Sequence, residues 1–216
     1  MDYTARMAAL LGRMRRERNG AVADAMRCYG KPCGLNYGVS LPTVRQIARE
    51  EGRDHALARL LWQQDVRELR LAALHIADPT RFSSDEARDL AGGICNSELA
   101  EEAAFALLSR APQFDAIFRE WLDSGQPLLV YAVLLGAARS EYCPESWLQP
   151  ALNAVRQTAD PDAKLVARGA AALLEALGRR NETGRQAVLR AVDPAHAAET
   201  AAIAWLREEL QWRLAE

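Results

Sequence analysis

The residues best spaced for chemistry are three glutamates near the start of one helical segment. In Asn96-Ser-Glu-Leu-Ala-Glu-Glu102, Glu98 stands three residues before Glu101 and four before Glu102. That spacing puts side chains on a shared helix face. Paired carboxylates so placed can pass protons or hold a cation. The same acids also suit capping and solvation, because negative charge is favoured in the first turns of a helix. A second polar group, Asp65, Arg67, Glu68 and Arg70, lies beside Trp62. Asp65 reads as a helix N-cap with Glu68 closing a capping box, and Arg67 and Arg70 fall on one side, within reach of a phosphate. Tyr131 follows the turn Gly125-Gln126-Pro127 in an otherwise aliphatic helix and reads as a stacking platform or as the edge of the core. His75, set between Leu74 and Ile76, reads as a packed histidine.

Other chemistries lack their residues. The chain has no phosphate-cradling glycine motif, no GxSxG, no HExxH and no aromatic-basic alternation of the RNA-binding kind. Cys28, Cys33, Cys95 and Cys143 have no CxxC spacing, and His55, His75 and His196 are scattered, so no metal and no cofactor is expected. Reduced thiols and a cytoplasmic location are expected. There is no apolar run near the roughly 20 residues of a membrane span, and no signal-peptide core follows Met1, so no membrane partner is expected either. The net charge of -2 conceals an asymmetry. Residues 1–75 carry 13 Lys and Arg against 8 Asp and Glu, whereas residues 76–216 carry 14 against 21. The first part is fit to face phosphates, although the whole chain is not basic.

Helices must position these groups. Alanine- and leucine-rich periodicity runs through most of the 216 residues, broken every dozen or so by short polar turns. Met7, Leu10, Leu11 and Met14 form the apolar stripe of a first helix over about 3–18, opposed by Arg6, Arg13, Arg15 and Arg16. A glycine-rich loop spans 29–38, Ser40 caps a helix with Pro42 in its first turn, and Ser83 or Ser84 opens another near Glu86. About thirteen helices result, with no convincing strand. Antiparallel pairs recurring every 30 to 40 residues predict an all-α solenoid of about six pairs as one domain over 1–216, with a globular helical bundle as the alternative. The last helix, with Trp205, Leu206, Leu210 and Trp212, is expected to cover the open end of the stack.

Three stretches carry a family resemblance: Tyr37-Gly-Val-Ser-Leu-Pro-Thr-Val-Arg-Gln-Ile-Ala48, Ala58–Trp62 and Arg67-Glu-Leu-Arg-Leu-Ala-Ala-Leu74. Together they resemble the DNA alkylation repair family, the HEAT-like-repeat alkylpurine DNA glycosylases. The resemblance implies a curved HEAT-like or ARM-like superhelix holding duplex DNA in a positive groove. It also implies base excision repair, by hydrolysis of the N-glycosidic bond of N3- or N7-alkylated purines without deep base flipping. An Asp would stabilise the sugar cation, with tryptophans and an arginine lining the lesion.

At those reactive positions the chain departs from the family. The Trp-x-x-x-Asp helix start falls on Ser97 and Glu101, which keeps a carboxylate and loses a ring. The next arginine falls on Tyr131, and the later Trp and Arg fall on Ala172 and Glu175, with Arg168 the retained cation nearby. Two expectations follow. In one, the chain excises alkylated bases with Glu101 as the essential carboxylate and Arg45, Arg67, Arg70, Tyr131 and Arg168 as DNA contacts. In the other, it is a non-catalytic HEAT-repeat protein that binds DNA or a protein partner.

Overall fold

The computed structural model describes residues 2–28, 34–193 and 200–215. Among them are thirteen α-helices and no strand. Two isolated bridges, from Gly34 and Leu35 to Val66, are the extended pairings. The chain divides into two compact units, residues 1–107 and 108–216.

The first unit holds α1 (Tyr3–Arg16), α2 (Gly20–Cys28), α3 (Leu41–Glu51), α4 (His55–Trp62), α5 (Arg67–Ile76), α6 (Ser84–Ala91) and α7 (Ser97–Ala106). Side-chain caps set several starts. Ser40 accepts from the Thr43 amide, Asp54 from Leu57 and Asn96 from Leu99, and Ser83 with Glu86 forms a full capping box. Gly52 ends α3 at φ +79°. Helices α3, α5 and α7 lie side by side as one row, with α4 packed against α5 and α1 against α3, α4 and α5. Leu69, Leu71, Leu74 and Ile76 of α5 are buried, which makes it the core element of the row.

The second unit holds α8 (Phe114–Asp123), α9 (Pro127–Arg139), α10 (Leu148–Gln157), α11 (Ala163–Gly178), α12 (Glu182–Ala191) and α13 (Ala201–Arg213). Here α9, α11 and α13 form the row, α8 packs on α9, α10 on α11, and α12 on α11 and α13. Every residue of α9 from Leu129 to Ala137 is buried, in keeping with a helix apolar all round. Gly169 allows α11 to approach it closely. A Cβ there would stand 3.0 Å from Tyr131 Cδ2 and 3.1 Å from Leu134 Cβ.

Two expectations change. Leu206 and Leu210 of α13 are buried as expected, but Trp212 is 78% exposed and covers nothing. The thiols are not all reduced: Cys95 is disulfide-bonded, while Cys28 and Cys143 are free. His196 lies outside the described residues. No helix among the described residues is long and apolar enough to cross a membrane.

Candidate nucleic-acid interface

The first site residues gather where the segment 34–39 crosses the start of α5. The Leu35 amide donates to Asp65 O at 2.8 Å, and the Arg67 amide donates to Leu35 O at 2.9 Å. Below this crossing, Glu68 is fully buried and accepts the Tyr37 and Val39 amides at 3.2 and 3.3 Å. Arg67, 2% exposed, supplies the countercharge. Its Nη1 donates to Glu68 at 2.9 Å and to Val39 O at 3.0 Å, while Nε and Nη2 grip both oxygens of Glu98 at 2.7 and 2.6 Å. Burial alone would lower the Arg67 pKa, but Glu98 and Glu68 outweigh it and raise it.

The capping box expected at Asp65 is absent. The helix starts one residue later, with Val66 at the N-cap and no side-chain cap bond. Glu68 cannot turn back to the helix start because the buried guanidinium and two loop amides already hold it. An ion left alone at this depth would cost several kcal/mol. Arg67 therefore has no surface from which to reach a phosphate, and its DNA-contact role fails on burial.

A second cluster ties the same three helices further along. Arg45 of α3 grips both carboxylate oxygens of Glu102 on α7, its Nε standing 2.9 Å from Oε2. His75 Nε2 of α5 lies 2.6 Å from the same oxygen. Burial would raise the Glu102 carboxyl, yet the hydrogen bonds from His75 and Arg45 hold it below the ordinary value. Glu98 and Glu102 are thus internal ion-pair partners rather than solvated capping acids, as their spacing suggested. Glu101, between them in sequence, is half-buried. Arg45 remains partly exposed, but its head group is committed to Glu102.

Arg70 of α5 is mostly covered. Its guanidinium lies 6.0 Å from the Trp62 ring centroid and 3.2 Å from Asp65, and its buried Nε has no hydrogen-bond partner. Arg45, Arg67, Arg70 and Glu101 thus share the α3–α5–α7 row of the first unit. Tyr131 and Arg168 belong to the second. Tyr131 is 3% exposed, so it is core and not a stacking platform. Arg168 is exposed on α11.

Some contributors escaped the sequence pattern. Arg15 lies over the Tyr37 ring, 5.7 Å from its centroid, with Arg16 and Arg18 exposed close by. The available signal was the arginine-rich polar side of α1 together with a tyrosine in the quoted motif. Between α4 and α6, a recess lined by His55, Trp62, Phe82 and Glu86 measures about 50 Å³. That is room for a few waters and not for a base. The Asp78 amide donates to His55 Nδ1 at 3.3 Å, so the ring proton sits on Nε2, 2.9 Å from Glu86.

No curated protein matches the sequence significantly. Among solved structures, one described as belonging to a new family of proteins related to the HEAT-like repeat DNA glycosylases, with affinity for branched DNA structures, superposes with a TM-score of 0.72. It is 16% identical, and the match covers 99% of this chain and 96% of that one. This likeness shows the fold, a HEAT-like helical repeat. The family described as DNA alkylation repair enzyme matches residues 10–208, nearly the whole chain. The chain belongs to the DNA alkylation repair family.

Proposed function

We propose that this protein binds DNA, with a preference for branched over linear duplex, and does not excise alkylated bases. One observation carries the proposal. Two of the three glutamates of α7 are neutralised from within, Glu98 by Arg67 and Glu102 by Arg45, with His75 in hydrogen-bond contact with Glu102. Neither acid is then left to compete with phosphates for the exposed arginines of the first unit, among them Arg15, Arg16, Arg18, Arg49 and Arg53. Phosphate contacts of this kind give affinity without sequence preference. The structural relative's affinity for branched DNA supports the choice of substrate.

Glycosylase action is the second reading, favoured by the family match and by the half-buried carboxylate of Glu101 on α7. Against it stand Ser97 in place of an aromatic wall and the burial of Tyr131. A misplaced carboxylate alone costs on the order of 10²-fold in rate per ångström.

The test pairs two measurements. Fluorescence anisotropy with a four-way junction and a linear duplex, across a salt series, should show tighter junction binding that falls linearly on log-log axes. Single-turnover incubation with N7-methylguanine duplex should release no base. Base release lost in Glu101→Gln would establish the glycosylase instead. Salt-independent or absent DNA binding would redirect the search to a protein partner.

A further inference from the structure

We propose that Arg15 and Tyr37 form a stacking site for an unpaired nucleobase, with Arg16 and Arg18 taking the flanking phosphates. The proposal rests on the DNA-binding reading above and deepens it: the ligand is an unstacked nucleotide, as occurs at a bulge or branch, rather than the duplex alone.

The first argument is the mounting of the ring. Tyr37 lies in a loop, yet its backbone is held from three sides. Its amide donates to both oxygens of the fully buried Glu68 at 3.2 Å. Its carbonyl accepts the Asn19 amide at 2.8 Å, which pins the loop to the corner between α1 and α2. Gly38 follows at φ +70°, where a Cβ would stand 2.0 Å from Asn19 O, so the backbones touch and only glycine fits. The Arg67–Glu68–Glu98 network thus ends in the amide of a half-buried tyrosine. A ring fixed before binding loses little entropy when a base stacks on it.

The second argument is charge. The Arg15 guanidinium already lies over the ring, 5.7 Å from its centroid, forming a flat cationic surface suited to a π-face. Among the described residues, Arg15, Arg16 and Arg18 are exposed and none forms an ion pair. Arg18 directly precedes Asn19, which holds the Tyr37 carbonyl. The facing acids are few. Glu17 is exposed between them, Glu50 is paired with Arg13, and Glu68 is buried against Arg67. An aromatic plane flanked by unpaired cations is the arrangement that tracks single-stranded nucleic acid. An acidic peptide would use the arginines and leave the ring without a partner.

The experiment uses the full chain and a duplex carrying one bulged 2-aminopurine, whose fluorescence falls on stacking. Wild type should quench the probe and bind the bulged duplex roughly tenfold more tightly than the same duplex without a bulge. Tyr37→Leu should lose quenching and preference together while keeping linear-duplex affinity within about twofold, and Arg15→Gln should lose both together with part of the linear-duplex affinity, since Arg15 is also a phosphate-facing cation. Tyr37→Phe should keep both. Circular dichroism melts confirm folding, and Arg15→Gln, on an exposed side chain, stands in should Tyr37→Leu unfold. Equal binding of bulged and linear duplex, unchanged by the variants, overturns the stacking site and leaves the DNA reading standing. No binding to either duplex overturns both.

Discussion

The guanidinium of Arg67 closes on the carboxylate of Glu98 through two parallel hydrogen bonds, at 2.7 and 2.6 Å, joining the first turn of α5 to the first turn of α7. Such bidentate pairs are strong and directional. Here the same guanidinium also neutralises Glu68, which pairs with no other cation among the described residues.

Arg67→Ala should therefore destabilise the first unit by about 3–5 kcal/mol, because it strands a fully buried carboxylate. Urea unfolding followed by circular dichroism measures this. A loss under about 1 kcal/mol would contradict the structural role given to Arg67.

Glu102 predicts an acid limb in the stability profile. Its carboxyl is held below the ordinary 4.5 by His75 and Arg45 against the effect of burial. A depressed folded value contributes stability that is fully present above the unfolded value and is lost as the pH falls through the folded one. Arg45 faces it from α3 and His75 from α5. Urea midpoints between pH 7 and 3 should fall more steeply for wild type than for Glu102→Gln, with the two curves converging in acid.

Two helical glycines should respond in opposite directions. Gly169→Val drives side-chain atoms into Tyr131 and Leu134 and should cost about 1–3 kcal/mol. Gly12→Ala in α1 meets nothing within 4 Å and should gain up to about 1 kcal/mol from helix propensity. Thermal melts of both variants check the pair.

On α13, Trp212→Ser should leave stability within about 0.5 kcal/mol, since the indole is largely in water. Leu210→Ala should cost about 2–5 kcal/mol, since that side chain is fully buried. Reversed magnitudes would mean that the tryptophan does seal the stack.

Helices were legible because their signals are local. Periodicity placed the elements to within a few residues, and Ser40, Asn96 and the Ser83–Glu86 box are caps readable over three positions. The site was less legible because its bonds are not local. Arg67 finds Glu98 across 31 residues and Arg45 finds Glu102 across 57. From spacing alone, Glu98, Glu101 and Glu102 were equivalent acids on one face. Which of them is buried depends on cations brought by other helices. Tyr131 failed as a platform for a similar reason: α11 comes close through Gly169, and no pattern within α9 announces that approach.

The Arg45–Glu102 bond passes over one member of its row, running from α3 to α7 while α5 lies between them. Helical arrays ordinarily grow or shrink by copying and deleting neighbours, since each unit touches only the next. A copy inserted after α5 would carry Glu98 and Glu102 away from the arginines that neutralise them, stranding both acids and leaving Arg67 with Glu68 and the Val39 carbonyl alone. Insertion of a repeat between α5 and α7 is consequently disfavoured, so the first unit tolerates changes of exposed side chains better than changes of length at this point.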